Sequence, residues 1–286
     1  MKHKIALLAD VHGNMSALKS VLNDCKKENV TEYWFLGDLL MPGPGTNDLF
    51  QLLESVNTTL YVKGNWEDCF LEVLQKDIDL DHETDVYIAR LTQFQCENLN
   101  EAYIEKIKCL PMHQVENRNA LSISISHHLP QKNYGRDLSP DNDQQQFDQL
   151  FDQSYDIAIY AHTHHQLLRY SSNDQLIINP GTVGQPFYKW DKFQSDRRAQ
   201  YAILEIDDAG VADVHFKRVS YDIETELVHA STQQLPYLNL YTEMLQTGKT
   251  STHEHQVLQG VNQQFHYKED IIQFFSERYW PKVEKS

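Results

Sequence analysis

The sequence predicts an α/β fold on three observations: apolar runs alternate with amphipathic stretches, several of those runs end in clusters of Gly, Asp, Asn or His, and the 286 residues are 41% hydrophobic and 23% charged, an ordinary globular composition. Ile5 to Ala9 is a compact apolar run that stops at Asp10-Val11-His12-Gly13-Asn14, a buried strand feeding a polar turn. Ala17, Leu18, Val21, Leu22 and Cys25 then share one helical face, with Asn14 or Ser16 placed to cap the first turn. The unit repeats. Tyr33 to Leu36 runs into Gly37-Asp38, a helix follows from about Asp48 to Val56, and Thr59 to Val62 runs into Gly64-Asn65. In parallel α/β sheets ligands bind beyond the carboxyl ends of the strands, so these clusters point to one shared site.

From Glu67 to about Leu110 the reading is helical, with an acidic break at Asp77 to Asp85 and a stop at Pro111, as in an insertion or lid. Leu121 to Ser126 alternates with period two and delivers His127 and His128 at its end. A polar loop around Gly135 to Gln146 leads into a short helix. Strands return at Asp156 to Tyr160, before Ala161-His162-Thr163-His164-His165, at Leu167 to Tyr170, and at Leu176 to Ile178, before Asn179-Pro180-Gly181. Tyr201 to Ile206 and Val211 to Val219 are spaced as a hairpin across Asp208-Ala209-Gly210, and the chain after about Asp222 reads as helix.

A net charge of −16 opposes sequence-independent nucleic-acid binding, which depends on Lys and Arg neutralising phosphates. Ile5 to Ala9 falls far short of a signal-peptide core or a span of about 20 residues, so no membrane partner is expected. Cys25, Cys69, Cys96 and Cys109 are widely spaced with no CxxC pair, and the expectation is a reduced, cytoplasmic protein.

Asp, His and Asn side chains gathered at several strand ends have one economical explanation, a polynuclear metal site of hard oxygen and borderline imidazole ligands. His162 and His164 alone also read as surface polarity on one strand face; Asp10, His12, Asp38, Asn65 and His127 turn the balance toward metal. In chain order, Asp10-Val11-His12, Gly37-Asp38, Gly64-Asn65-Trp66-Glu67, His127 and Ala161-His162-Thr163-His164 resemble the signature of the calcineurin-like metallophosphoesterases: D-x-H, G-D, G-N-H-[D/E], a lone His, and G-H-x-H. Asn179 to Pro186 resembles the loop of that family's bacterial phosphodiesterase branch, which includes asymmetric diadenosine tetraphosphate hydrolases. The resemblance spans roughly residues 5 to 220.

It implies a four-layer α-β-β-α sandwich over residues 1–221, with a helical, lid-like insertion at about 67–111 and a C-terminal helical extension at 222–286. It implies two divalent cations, one held by Asp10, His12, Asp38 and His164 and the other by Asp38, Asn65, His127 and His162. Manganese and iron lead, and zinc, cobalt and nickel suit the same mixed ligands. Cations about 3.5 to 4 Å apart repel, and the shared Asp38 carboxylate offsets that repulsion. The implied reaction is in-line attack on phosphorus by a hydroxide shared between the metals, with Asp38, Asn65 and His127 as catalytic residues. The implied substrates are small nucleotide-type phosphodiesters or phosphoanhydrides, including dinucleoside polyphosphates such as diadenosine tetraphosphate. Cyclic nucleotides, a broad diesterase and a non-catalytic scaffold of the same fold are the alternatives, and a homodimer through the helical additions stays open.

The chain departs from the signature at Trp66, where most relatives carry a His thought to serve the leaving group; an indole cannot transfer a proton. That favours leaving groups needing no acid, such as a nucleotide phosphate. Trp66 either stacks on a nucleobase or packs under the insertion. His128 is either a substitute acid or an incidental neighbour, and Asn14 either meets a phosphate or only caps its helix. Leu39-Leu40-Met41-Pro42-Gly43 lacks the phosphate-clamping arginine of protein serine/threonine phosphatases. Phe187-Tyr188-Lys189-Trp190 with Arg197 and Arg198 reads as a solvated loop or as a grip on a polyphosphate.

Overall fold

The computed structural model describes residues 2–151 and 154–277. Two five-stranded mixed sheets stack face to face. In the first, β1 (His3–Leu8), β2 (Glu32–Phe35) and β3 (Thr58–Tyr61) run parallel, and the hairpin β9 (Ala199–Ile206) and β10 (Ala212–Val219) joins antiparallel beside β1, in the order β10-β9-β1-β2-β3. The second runs β4-β5-β6-β8-β7, from β4 (His113–Arg118) and β5 (Leu121–Ser126) through β6 (Ile157–Ile159) to β8 (Leu176–Pro180) and β7 (Gln166–Tyr170). β1 is buried on both faces: Ile5 and Leu7 point into the seam between the sheets with Trp34, Ile123, Ile159 and Leu204, while Ala6 and Leu8 meet the helices outside.

That outer layer begins with α1 (Met15–Lys27), whose Ala17, Leu18, Val21, Leu22 and Cys25 are all buried, and α2 (Asn47–Glu54). The segment read as an insertion is three helices, α3 (Asn65–Gln75), α4 (Glu83–Asn98) and α5 (Glu101–Lys108), and the acidic break spans the loop between α3 and α4 and the first turn of α4. On the far face, α6 (Gln144–Asp148) sets Phe147 against Tyr160 and Ile177, completing a four-layer α-β-β-α sandwich. α7 (Ile223–Thr232), α8 (Leu238–Thr247), α9 (His255–Phe265) and α10 (Tyr267–Glu277) follow β10 and share the outer helical core through Leu240, Tyr241, Met244 and Ile271. Residues 278–286 of the expected extension lie outside the described residues. No described helix is long and apolar enough to cross a membrane.

Candidate metal centre

The carboxyl ends of β1, β2, β5 and β6 and the start of α3 converge on one place. Asp10 and His12 follow β1, Asp38 follows β2, Asn65 opens α3, His127 follows β5, and His162 and His164 follow β6. Backbone hydrogen bonds lock the first two loops together: the Asp10 amide donates to the Gly37 carbonyl at 3.0 Å and the His12 amide to the Asp38 carbonyl at 3.0 Å. Gly64 is required by closeness, since a Cβ there would stand 2.1 Å from Asp38 Oδ1. Gly37 sits at φ 93°, where a side chain would be strained and would also press on His127.

The ligands form two adjoining groups, Asp10 with His12 and His164, and Asp38 with His127 and His162; within each, the ligand atoms lie within 4.8 Å of one another. Asp38 Oδ2 is 3.2 Å from His127 Nε2 and 3.8 Å from His12 Nε2, so this carboxylate reaches both groups. Asn65 Oδ1 stands 2.8 Å from His162 Nδ1 and 3.2 Å from His127 Nε2, inside the second group. All seven residues read from the sequence as ligands meet here.

Each histidine spends one ring nitrogen on a backbone carbonyl: His12 Nδ1 on Met41 at 2.8 Å, His127 Nδ1 on Leu36 at 2.6 Å, His162 Nε2 on Gly135 at 3.0 Å and His164 Nδ1 on Gln185 at 2.8 Å. A carbonyl only accepts, so the hydrogen is on that nitrogen and the other, in a neutral ring, turns a lone pair inward. Burial, reinforced by positive charge on His127 and His128, pushes the His162 imidazole down to about 3, so that ring is neutral at pH 7. Burial also opposes an imidazolium at His127, yet the Asp38 carboxylate beside it outweighs burial and raises it to about 10. A proton on His127 answers the charge of Asp38. Burial, then the neighbouring Asp38 carboxylate, push Glu67 up to about 7.

Trp66 is half-buried against the outer helical core, its ring edge-on to His12 with centroids 5.7 Å apart. Asn14 is buried: its Oδ1 accepts from the Ala17 amide at 3.0 Å, capping α1, and its Nδ2 donates to Gly184 O and Tyr221 Oη. His128 is buried too, with Nε2 3.4 Å from Asp137 Oδ2 and Nδ1 without a hydrogen-bond partner. Lys189 pairs with Asp141 at 3.0 Å, Arg198 with Asp196 at 2.7 Å, and Arg197 donates to the Thr247 carbonyl.

Residues 3–209 match the profile of the calcineurin-like phosphoesterase superfamily domain. The chain belongs to that superfamily. Its calcineurin-like fold appears in a metallophosphoesterase from Sphaerobacter thermophilus, 22% identical with TM-score 0.64, covering 86% of this chain and 100% of that one. A hypothetical protein from Pyrococcus horikoshii OT3 is 18% identical with TM-score 0.67, covering 86% of this chain and 99% of its own. An uncharacterized protein of Methanocaldococcus jannaschii is 27% identical over 252 residues, 82% of this chain and 95% of that protein. The superfamily fold implies divalent metal ions, and the residues present fit them. Both carboxylate oxygens of Asp10 are buried without a hydrogen bond, an arrangement costly for an anion unless a cation completes it.

Sequence reasoning assigned no role to Glu67. Its carboxylate accepts the backbone amides of Asp38, Leu39 and Gly64, each at 2.8 Å, and so pins the loop bearing the shared ligand to the start of α3. The signal was readable, because Glu67 is the third residue after Gly64 at a helix start, the spacing of a capping box.

Proposed function

We propose that the protein is a two-metal phosphodiesterase acting on nucleotide-type substrates, cleaving phosphodiester or phosphoanhydride bonds, with residues 1–221 as its catalytic part. The observation that carries this reading is Asp38 Oδ2 standing between two histidine-bearing groups, 3.2 Å from one and 3.8 Å from the other. Asp10, His12 and His164 would hold one cation, and Asn65, His127 and His162 the other, with Asp38 shared. Bound there, manganese or iron supplies Lewis acidity toward phosphoryl oxygens and a water of lowered pKa. Asp38 and His127 hold the shared edge, and Asn65 adds a ligand without adding negative charge, which favours an anionic substrate.

The leaving group follows from the acids available beside the metal groups. The indole N–H of Trp66 is far too weakly acidic to protonate a leaving group, and the His128 ring is directed at Asp137. A nucleotide phosphate, with a second pKa near 6, departs without an acid, whereas an alkoxide does not. Dinucleoside polyphosphates such as diadenosine tetraphosphate meet that requirement. The test is metal-stripped protein with manganese restored, assayed on bis-p-nitrophenyl phosphate, p-nitrophenyl phosphate and diadenosine tetraphosphate beside Asp38→Ala. Manganese-dependent cleavage of the diester and the tetraphosphate, lost in the variant and weak on the monoester, is the expected result. Dominant monoesterase activity would overturn the leaving-group argument, and inactivity with both metals bound would overturn the enzyme.

A further inference from the structure

We propose that residues 221–241 position the Asp10, His12 and His164 group selectively, with Tyr221, Glu226 and Tyr241 as its positioning residues. This rests on the reading that both groups bind cations. The superfamily match ends at residue 209, so these residues lie outside the matched domain. Glu226 of α7 has no exposed surface. Its Oε2 accepts the Ser16 amide at 2.8 Å, in the first turn of α1, where unpaired amides and the helix dipole favour a carboxyl group. Its Oε1 accepts the Tyr241 hydroxyl of α8 at 3.2 Å. That hydroxyl oxygen would lie 2.7 Å from a Cβ on Gly43, so it rests on the Gly43 backbone, whose amide donates to the His12 carbonyl at 3.0 Å. Tyr221 reaches the same loops from the other side. Its hydroxyl accepts from Asn14, which also holds the Gly184 carbonyl, and the Gly184 amide donates to the Asp10 carbonyl at 2.9 Å. The next residue, Gln185, carries the carbonyl that orients His164.

All three residues of one group therefore rest on residues 221–241, His12 through Gly43, Asp10 through Asn14 and Gly184, and His164 through Asn14, Gly184 and Gln185. The other group is supported elsewhere: Asp38 by Glu67, His127 by Leu36, His162 by Gly135, and the Gly64 carbonyl by Asn133 at 3.0 Å. Among the described hydrogen bonds none joins those supports to α7 or α8. Loosening the extension should thus weaken the cation of this group far more than its neighbour, which is tied to it only through Asp38 and the two backbone bonds to the Gly37–Asp38 loop. Partners that orient ligands are worth about 10- to 100-fold in affinity.

The test is calorimetric titration of metal-depleted, full-length protein with manganese, with circular dichroism to verify folding. The wild type should take up two manganese ions. Tyr241→Phe, which keeps the buried ring, should weaken one of them about 10- to 100-fold and leave the other within about twofold. Glu226→Gln, which keeps an acceptor for the Ser16 amide, should give a milder loss of the same ion. In an Asp10→Asn background, where only the second group is intact, Tyr241→Phe should change nothing. Equal weakening of both ions, no weakening, or an effect that persists in the Asp10→Asn background would overturn the proposal. Fewer than two manganese ions in the wild type would remove the two-metal reading with it, and that failure shows before any substitution is made.

Discussion

Asp10, His12, Asp38, His162 and His164 all sit at φ between 51° and 64°, and His12 Nε2 among them lies 3.1 Å from His164 Nε2 and 3.8 Å from Asp38 Oδ2. Holding a residue with a Cβ there costs of order 1 to 3 kcal/mol and persists only when surroundings over-determine it. Glu67 is one such constraint, because three amides converge on its carboxylate. Glu67→Gln turns one acceptor into a donor facing those amides. It should reduce manganese affinity and diester hydrolysis about 10- to 100-fold, with the melting temperature lowered; wild-type manganese affinity in this variant would show that the Asp38 loop needs no such support. Trp66→His should restore a group able to protonate a leaving oxygen, worth about 10²- to 10⁴-fold where departure limits the rate. The gain should appear on alkyl phosphodiesters and not on bis-p-nitrophenyl phosphate, and equal gains on both would break the leaving-group argument.

Among the elements, α1 joins fold to site. Its five-residue apolar face and its cap were legible, and the structure puts Asn14 at the N-cap with Met15–Lys27 following. Asn14→Ala should cost about 1 kcal/mol for the cap alone. More is lost because the Gly184 carbonyl and Tyr221 hydroxyl lose a donor, so urea denaturation should show a loss exceeding that of an isolated cap; a loss under about 0.5 kcal/mol would mean the cap is replaced. The parallel strands were readable because each ends abruptly in polar residues, and β1 and β2 also carry a buried apolar run, as Ile5 to Ala9 does before Asp10. β4 was not, since His113–Arg118 is a sheet-edge strand whose polar residues carry no apolar run. The residues that meet at the candidate metal centre were legible because they are side chains in fixed order. Its supports were not, because the carbonyls of Met41, Leu36, Gly135 and Gln185 have no residue signature, and Glu226 is an ordinary acidic residue until the fold brings it to Ser16, 210 positions away in the chain.

Over the whole molecule, metal and proton compete for one charge. The chain carries a net −16, and at its centre the buried carboxylate of Asp10 faces His127 and that of Asp38 faces both His127 and His12. Asp38 holds His127 up at about 10, above the ordinary value near 6.5, so the metal-free folded protein keeps a proton between those limits that the unfolded chain releases. The sign follows: this contribution is fully present below about pH 6.5 and is lost as pH rises toward 10, at about 1.4 kcal/mol per pH unit. Asp38, held below the usual carboxylate range, loses its own contribution only in acid. A bound cation requires the neutral His127 ring and expels that proton, so manganese affinity should rise about tenfold per pH unit for one displaced proton. The loaded protein then has no corresponding slope. Thermal melts with chelator and with saturating manganese should therefore diverge from pH 6.5 to 8.5, the metal-free curve falling while the loaded curve stays level. Calorimetry in buffers of different ionisation enthalpy should count at least one proton released per chain at pH 7. Parallel slopes and no released proton would mean that the cation does not displace the His127 proton, and the pairing of Asp38 with His127 would then belong to the fold and not to metal binding.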